Sequence, residues 1–233
     1  MKIFAPDYYN DFKCIMDKCR HTCCEGWEID IDRASLEKYK VYPEIMDKID
    51  FNDVPHFKLE CGRCPFLRQD NLCQMILDHG EDFICQICTD HPRFRNFWTD
   101  RVEVGLGLAC EEAARIILTK ETPMKLVVID DDGKNEALPE DEAWLMKVRQ
   151  KLFDSIYDNA ETGNGPDARL LEYLIYRHIA DALYDDRLEE RIRFVQDSYD
   201  EILDAWENTD GTIESLIECA RKFSVEKEYI VQE

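Results

Sequence analysis

Cysteine is concentrated in the first half of the chain, where it forms three closely spaced groups. Ten of the eleven cysteines lie at or before Cys110. The groups have the spacings Cys14-x4-Cys19-x3-Cys23-Cys24, Cys61-x2-Cys64-x8-Cys73 and Cys85-x2-Cys88. Thiolates two residues apart can hold one ion from a tight turn, and several such turns supply the four soft ligands that zinc or an iron–sulfur cluster requires. We therefore expect this half of the chain to fold around bound metal.

The predicted metal ligands are the cysteines of the dense groups. They are Cys14, Cys19, Cys23, Cys24, Cys64, Cys73, Cys85 and Cys88. Cys61 stands outside this set as an extra thiol, and isolated Cys110 and Cys219 are expected to be small packed side chains, the common fate of free cysteine. Spacing alone does not separate zinc from an iron–sulfur cluster. Gly26 stands where the radical enzymes' Cys-x3-Cys-x2-Cys loop needs its third cysteine, so radical chemistry is not expected.

The charge of the chain is strongly acidic and argues against two kinds of partner. With 51 acidic and 29 basic side chains the net charge is −22, which repels phosphate backbones and anionic lipids. We therefore expect no nucleic-acid and no membrane partner. No apolar run reaches the ~18 residues of a membrane span, and Asp7 and Asp11 argue against a secretory signal. A cytoplasmic location follows as an expectation, and there thiols stay reduced.

The element pattern predicts an α+β fold with two parts. Residues 1–108 are expected to form an irregular cysteine-rich metal-binding lobe with short strands, and residues 109–233 a mainly helical lobe. In the first, Trp27–Ile31 alternates like a strand, and Asp32 or Ser35 can cap a short helix that ends at Tyr39. Phe94–Trp98 and Val102–Leu106 flank a short turn and predict a hairpin.

The second part is predicted to be mainly helical. A helix at Ala109–Leu118 and a strand at Lys125–Ile129 come first, followed by apolar residues three and four apart in four further helices. These helices are predicted at Pro139–Asn159, Pro166–Tyr184, Leu188–Trp206 and, more weakly, Thr212–Phe223. The large side chains expected to pack against the metal lobe are Trp144, Phe153, Tyr173 and Phe194.

Several segments carry a family resemblance. The matching stretches are Ala5-Pro6-Asp7-Tyr8-Tyr9, Cys19-Arg20-His21-Thr22-Cys23-Cys24, Gly26-Trp27-Glu28-Ile29-Asp30-Ile31, Cys64-Pro65-Phe66-Leu67, Cys85–Asn96, Gly105-Leu106-Gly107-Leu108 and Tyr173–His178. At these residues the chain resembles the FliB family of flagellin lysine-N-methylases, within a group named for a Cys-x2-Cys-x2-Cys-Cys zinc- or iron-chelating domain. The resemblance implies methyl transfer from S-adenosylmethionine to lysines of flagellin, with a [4Fe–4S] cluster; zinc is the alternative metal.

The resemblance also suggests where the cofactor binds, beside Asp90, His91 and Arg93. His91 can equally serve as a metal ligand or as a packed ring, and His21 has the same two interpretations. No catalytic residue is identified: the candidates for a base are Tyr8, Tyr9, Asp30, Asp32 and Asp90, and spacing favours none. Two alternatives stay open, a non-catalytic metal-stabilised protein-binding module and, with least support, a redox or metal sensor. The sequence does not indicate the oligomeric state.

Overall fold

The computed structural model describes residues 1–134, 136–158 and 164–228. Its strands are, in chain order, β1 (Lys2–Pro6), β2 (Ile49–Asp50), β3 (His56–Phe57), β4 (Arg93–Phe97), β5 (Arg101–Leu106) and β6 (Leu126–Asp131). The α-helices in the described ranges are α1 (Arg33–Tyr39), α2 (Pro43–Met46), α3 (Gln74–His79), α4 (Gln86–Asp90), α5 (Glu111–Leu118), α6 (Glu140–Asp158), α7 (Pro166–His178), α8 (Ala182–Asp185), α9 (Leu188–Glu207) and α10 (Ile213–Lys227). Helices and strands both occur, so the predicted α+β class is confirmed.

The chain folds into two compact units whose boundaries differ from the expected one at residues 108 and 109. One unit comprises residues 1–13 and 93–224, and the other comprises residues 14–92 with the segment that begins at Val225. The first thirteen residues and the 93–108 segment therefore belong with the helices. The physical reason is strand pairing between β1 and β5, which local sequence patterns do not reveal.

The larger unit, residues 1–13 and 93–224, contains a four-stranded sheet in the order β4-β5-β1-β6. The predicted hairpin is confirmed as β4 and β5, which pair antiparallel from Arg93 opposite Leu106 to Phe97 opposite Val102. The strand predicted at Lys125–Ile129 is confirmed as β6, which runs antiparallel to β1. Strand β1 was not predicted, since five residues ending in proline carry little signal before their partners are known.

The helices of this unit follow the predicted periodicity closely. The predicted helix at Ala109–Leu118 is α5, and those at Leu188–Trp206 and Thr212–Phe223 are α9 and α10. Helix α6 matches the helix predicted at Pro139–Asn159, of which Asn159 lies outside the described residues. The helix predicted at Pro166–Tyr184 is divided: α7 ends at His178, a 3₁₀ turn covers Ile179–Asp181, and α8 follows.

Helix α7 lies at the centre of the larger unit's core. Leu170, Leu174 and Ile179 are fully buried, together with residues from α5 and α10. Tyr173 is buried, and Phe153 and Phe194 pack partly buried against the same core. Trp144 is 57% exposed and lies outside this core, and the expected packing of these side chains against the metal lobe stays a prediction. Position 144 lies in the second turn of α6, away from the apolar face that carries buried Leu145 and Ile156.

The second unit has short elements around a separate apolar core. Its helix α1 is capped as predicted, because the Asp32 carboxylate accepts the backbone N–H of Ser35 at 2.9 Å. The strand predicted at Trp27–Ile31 is wrong: Asp30 makes only an isolated bridge with His56. Ile29 and Ile31 are nevertheless buried. The alternation of apolar and acidic residues therefore predicted correctly which side chains face the core, although the backbone forms too few bridges to count as a strand.

Within the described ranges, the helices are too short or too polar to span a lipid bilayer.

Candidate metal centre

Five cysteines of the second unit share its apolar core. Cys64 and Cys85 are buried, and Cys24, Cys73 and Cys88 pack around them partly buried. All five belong to the predicted ligand set and come from all three sequence groups. The fold therefore brings distant parts of the chain together at one cluster of thiols, which we call the core thiols.

Tight local structure places each of the core thiols. The backbone N–H of Cys64 donates to the carbonyl of Cys24 at 2.8 Å, which joins the first group to the second. Cys73 forms an isolated bridge with Leu67 just before α3 begins. Cys85 is the N-cap of α4 and Cys88 lies within that helix, so their Sγ atoms approach to 3.4 Å. Turns and helix starts, rather than long elements, position the sulfurs.

Burial and contacts between neighbouring cysteines both shift the pKa values of the core thiols. A hydrogen bond with Cys23 lowers the pKa of the Cys24 thiol to about 7. Burial raises the pKa of Cys64 to about 12, and burial also raises that of Cys73. The contact between Cys85 and Cys88 lowers the pKa of Cys85 and raises that of Cys88. Each of Cys64, Cys73 and Cys88 is further disfavoured as a thiolate by its neighbours' charge, which a bound cation would offset.

The remaining predicted ligands lie outside this core. Cys14 and Cys23 are exposed and Cys19 is half-buried. Cys23 contacts Cys24 and so lies at the border of the core thiols. Cys61, which was left out of the ligand set, is exposed. Cys110 and Cys219, expected to be packing residues, pack partly buried against the core of the larger unit.

The core thiols fit a thiolate-ligated metal in chemistry and number. Five sulfurs exceed the four that zinc or an iron–sulfur cluster takes. In the ranges that the structure describes, however, no group of three or more His, Cys, Asp or Glu side chains is arranged to hold one ion. The eight-cysteine ligand set and the cofactor assignment therefore stay predictions.

The three residues predicted to bind the cofactor do not share a unit. Asp90 and His91 belong to the second unit and Arg93 to the larger one. The His91 ring stacks on Trp27 with centroids 6.2 Å apart and an interplanar angle of 23°. The Arg93 guanidinium lies 5.2 Å from the Phe12 ring centroid and 5.8 Å from that of Tyr9. Cofactor binding by these residues remains a prediction.

Two of the candidate bases, Tyr8 and Asp32, have strongly shifted pKa values. Burial raises the pKa of the Tyr8 phenol well above its usual value of 10, and the charge of Glu172 adds to this. Although burial opposes it, hydrogen bonds from the backbone of Gln86 and Ser35 lower the pKa of Asp32 to about 2. A buried neutral phenol and a carboxylate of such low basicity are both poor proton acceptors at neutral pH.

Sequence reasoning missed two buried charged networks in the larger unit. Arg149 makes a bidentate ion pair with Glu103, at 2.6 and 2.7 Å, and Glu103 is fully buried. Glu172 accepts hydrogen bonds from Arg169 at 2.7 Å, from the backbone of Met124 at 3.0 Å and from the Tyr157 hydroxyl. The three-residue spacing of Arg169 and Glu172 within an apolar helix was the available signal. Glu103 gave none, because its partner lies 46 residues away.

Comparison with known proteins relates part of this chain to lysine-N-methylases. The proteins of that name in Salmonella choleraesuis strain SC-B67 and Salmonella typhimurium strain LT2 are each 28% identical to it over 137 residues. The flagellar biosynthetic protein FliU of Salmonella muenchen shows the same identity over 137 residues.

The coverage of these matches differs between the relatives. They include 53% of this chain, 34% of each lysine-N-methylase and 81% of FliU. The chain thus spans about a third of the length of the curated lysine-N-methylases that it matches. No family model matches the chain, and no solved structure does. The similarity supports a distant, FliB-like relationship over about half of the chain.

Proposed function

We propose that this protein is an S-adenosylmethionine-dependent lysine N-methyltransferase that acts on flagellin and carries a cysteine-ligated [4Fe–4S] cluster. The observation that carries the proposal is the similarity to proteins named lysine-N-methylase and FliU, together with the convergence of five thiols on one core. The flagellar name of one relative supports flagellin as the substrate.

The core thiols would hold the cluster, and Cys23 at their border, with Cys14 and Cys19 outside the core, would be further predicted ligands. When bound, the cluster would contribute structural organisation, since methyl transfer from a sulfonium to an amine involves no net oxidation or reduction. Cys64 and Cys73 would lose their protons on ligation, because a thiolate is the metal ligand. The short helices of the second unit, α2 with four residues and α4 with five, would gain order from such a cross-link.

The chain's own residues must also provide a neutral lysine, since a protonated amine has no lone pair. A desolvated environment lowers the pKa of lysine, and a nearby base accepts its proton. With Tyr8 and Asp32 disfavoured by their environments, the candidates that remain are Tyr9, Asp30 and Asp90. Arg93 is the residue of the predicted cofactor trio whose guanidinium can bind the carboxylate of S-adenosylmethionine by paired hydrogen bonds.

A second candidate function is a metal-stabilised protein-binding module without catalysis. The observation that favours it is the small size of the elements around the core thiols: the strands β2 and β3 have two residues each. Elements of this length gain little stability from their own hydrogen bonds, so a bound metal would be a sufficient structural reason for the cysteines.

Two measurements test the proposal in sequence. Anaerobically purified protein is analysed for iron, sulfide and zinc alongside its absorption spectrum, which identifies the cofactor. The metal-replete protein is then titrated with S-adenosylmethionine in a calorimeter and incubated with flagellin, whose mass is measured. Cofactor binding with a mass gain of methyl groups supports the enzyme. Absence of both in metal-replete protein contradicts it and leaves the binding module as the account.

A further inference from the structure

Strand β6 forms one edge of the sheet in the larger unit. The strand order β4-β5-β1-β6 gives it β1 as its one neighbour among the described strands. Val127, Val128 and Ile129 are 40%, 49% and 37% exposed, although they are consecutive and apolar. Because successive side chains of a strand point to opposite faces, this exposure means that both faces of β6 are open as well as its edge.

The opposite edge of the same sheet is covered by a side chain at its last residue. At the end of β4, the Tyr184 hydroxyl accepts the backbone N–H of Phe97 at 3.0 Å and donates to the Phe97 carbonyl at 3.1 Å. Within the described part of the chain, no side chain from another element bonds the backbone of β6 in this way. The two edges therefore differ at this point, and β6 combines an uncovered edge with three exposed apolar side chains.

The pairing of β6 with β1 determines which backbone N–H and C=O groups of β6 are free to bond a partner. The N–H of Asp7 donates to the carbonyl of Lys125 at 2.8 Å where the pairing with β1 begins. Residues of an antiparallel strand direct their N–H and C=O groups alternately to the two sides of the strand. Val127, two residues after Lys125, therefore directs its N–H and C=O towards β1, and Leu126 and Val128 direct their N–H and C=O to the open edge. A bulge opposite Ile3 and Phe4 ends this regular stretch.

Acidic residues follow the open stretch immediately. Lys2 lies opposite Asp131, and the amino group of Met1 pairs with Asp132. Asp130 is exposed, and its carboxylate accepts the N–H of its neighbour Asp131 at 2.9 Å. The Met1 amine therefore pairs with Asp132, the Asp131 carboxylate accepts the backbone N–H of Gly133 at 2.9 Å, and the Asp130 side chain is exposed to solvent. A cationic side chain that extends along the strand would complement it.

We propose that the open edge of β6 binds an extended polypeptide segment that carries a lysine. The segment pairs with the outward N–H and C=O of Leu126 and Val128 as an added strand, and its lysine ammonium lies against Asp130. This inference rests on the proposed function, because a lysine-N-methylase must dock a lysine-bearing polypeptide. A second copy of this chain is a poorer occupant, since each copy carries a net charge of −22 and the two repel.

The test compares one backbone variant with a matched control. Val128→Pro removes the outward N–H and keeps the bonds to β1, whereas Val128→Thr keeps the N–H and suits a strand. The probe is a fluorescein-labelled ten-residue peptide of alternating threonine and valine with one central lysine, measured by fluorescence anisotropy. Val128→Pro is expected to weaken the Kd about tenfold and Val128→Thr less than about twofold. Circular dichroism checks that each variant remains folded.

The lysine contact is tested separately, by a double-mutant cycle. Asp130→Asn is expected to weaken binding about threefold, and so is replacing the peptide lysine by acetyl-lysine. If Asp130 and the peptide lysine are in contact, combining Asp130→Asn with acetyl-lysine weakens binding no more than either change alone. Equal affinity of the peptide for the folded wild-type protein and Val128→Pro would overturn the inference. So would light scattering that shows a wild-type dimer lost in Val128→Pro, with no peptide bound, because a second copy is then the occupant.

Failure of this inference can be told from failure of the proposed function. If flagellin is methylated with the same KM by the wild-type protein and Val128→Pro, the function stands and the docking surface is wrong. If peptide binding depends on Val128 and Asp130 while flagellin gains no mass, the docking surface stands and the methylase proposal fails.

Discussion

The carboxylate of Asp32 accepts the backbone N–H of Gln86 at 2.8 Å, although the two residues are 54 positions apart. The same carboxylate caps α1 through Ser35. One side chain thus satisfies the first N–H groups of two helices, α1 and α4. Because α4 carries Cys88 and begins after Cys85, Asp32 also helps to position the core thiols.

Replacing Asp32 by alanine should therefore destabilise the second unit. The lost cap alone is worth about 1 kcal/mol in unfolding free energy, and the lost bond to Gln86 adds to it. Urea denaturation measures the change. Glu37→Ala is the matched control, since it removes an exposed acid from the same helix; its midpoint should stay where it is. Equal midpoints for all three proteins would contradict the structural role of Asp32.

The stabilisation by Asp32 should also depend on pH. Its pKa falls from 3.8 to about 2 on folding, so its contribution is fully present above about pH 4 and is lost as the pH falls towards 2. Asp32→Asn keeps the capping oxygen but cannot titrate. We expect the difference in denaturation midpoint between wild type and this variant to shrink between pH 5 and pH 3. A constant difference across that range would show that Asp32 has the same pKa folded and unfolded.

The core thiols should matter for metal content more than the exposed cysteine of the same segment. Cys85→Ser removes a buried core thiol, and Cys61→Ser removes the exposed thiol outside the ligand set. We expect Cys85→Ser to lose most bound metal and to lower the melting temperature, because metal-binding free energy contributes to folding. Cys61→Ser should retain both. Iron and zinc analysis with thermal unfolding checks this, and normal metal content in Cys85→Ser would remove that residue from the ligand set.

The buried ion pair of Arg149 and Glu103 should contribute strongly to the stability of the larger unit. Arg149→Met leaves a fully buried carboxylate without its cation, which costs about 3–5 kcal/mol in unfolding free energy. The control is Arg187→Met, which breaks an exposed pair with Glu190 and should change stability by less than about 0.5 kcal/mol. Chemical denaturation distinguishes the two. A cost for Arg149→Met as small as the control's would mean that Glu103 is reached by solvent.

Of the three residues predicted to bind the cofactor, Arg93 is the one best tested by a single substitution. If it binds S-adenosylmethionine, Arg93→Ala should lose about tenfold in affinity while metal content is unchanged. Its contact with the Tyr9 and Phe12 rings offers a structural role instead. Arg95→Ala, on the same strand and exposed, is the control. A lower melting temperature without a change in cofactor affinity would assign Arg93 to packing.

The sequence by itself determined the local features of this protein. The helices α5, α6, α9 and α10 and the β4–β5 hairpin could be predicted because helical periodicity and turn residues act over a few positions. The cysteine spacing indicated a metal site for the same reason, since paired thiols at a turn are a local arrangement. The Asp32 cap was also visible, because its acceptor and the Ser35 donor are three residues apart.

Only the tertiary structure decided the long-range relationships. The pairing of β1 with β5 moved the first thirteen residues into the larger unit, and it depends on residues about 100 positions apart. The same holds for Glu103 with Arg149, and for the gathering of five of the cysteines in one core. Burial and charge pairing at these sites are set by which segments pack together, and no local pattern of side chains carries that information.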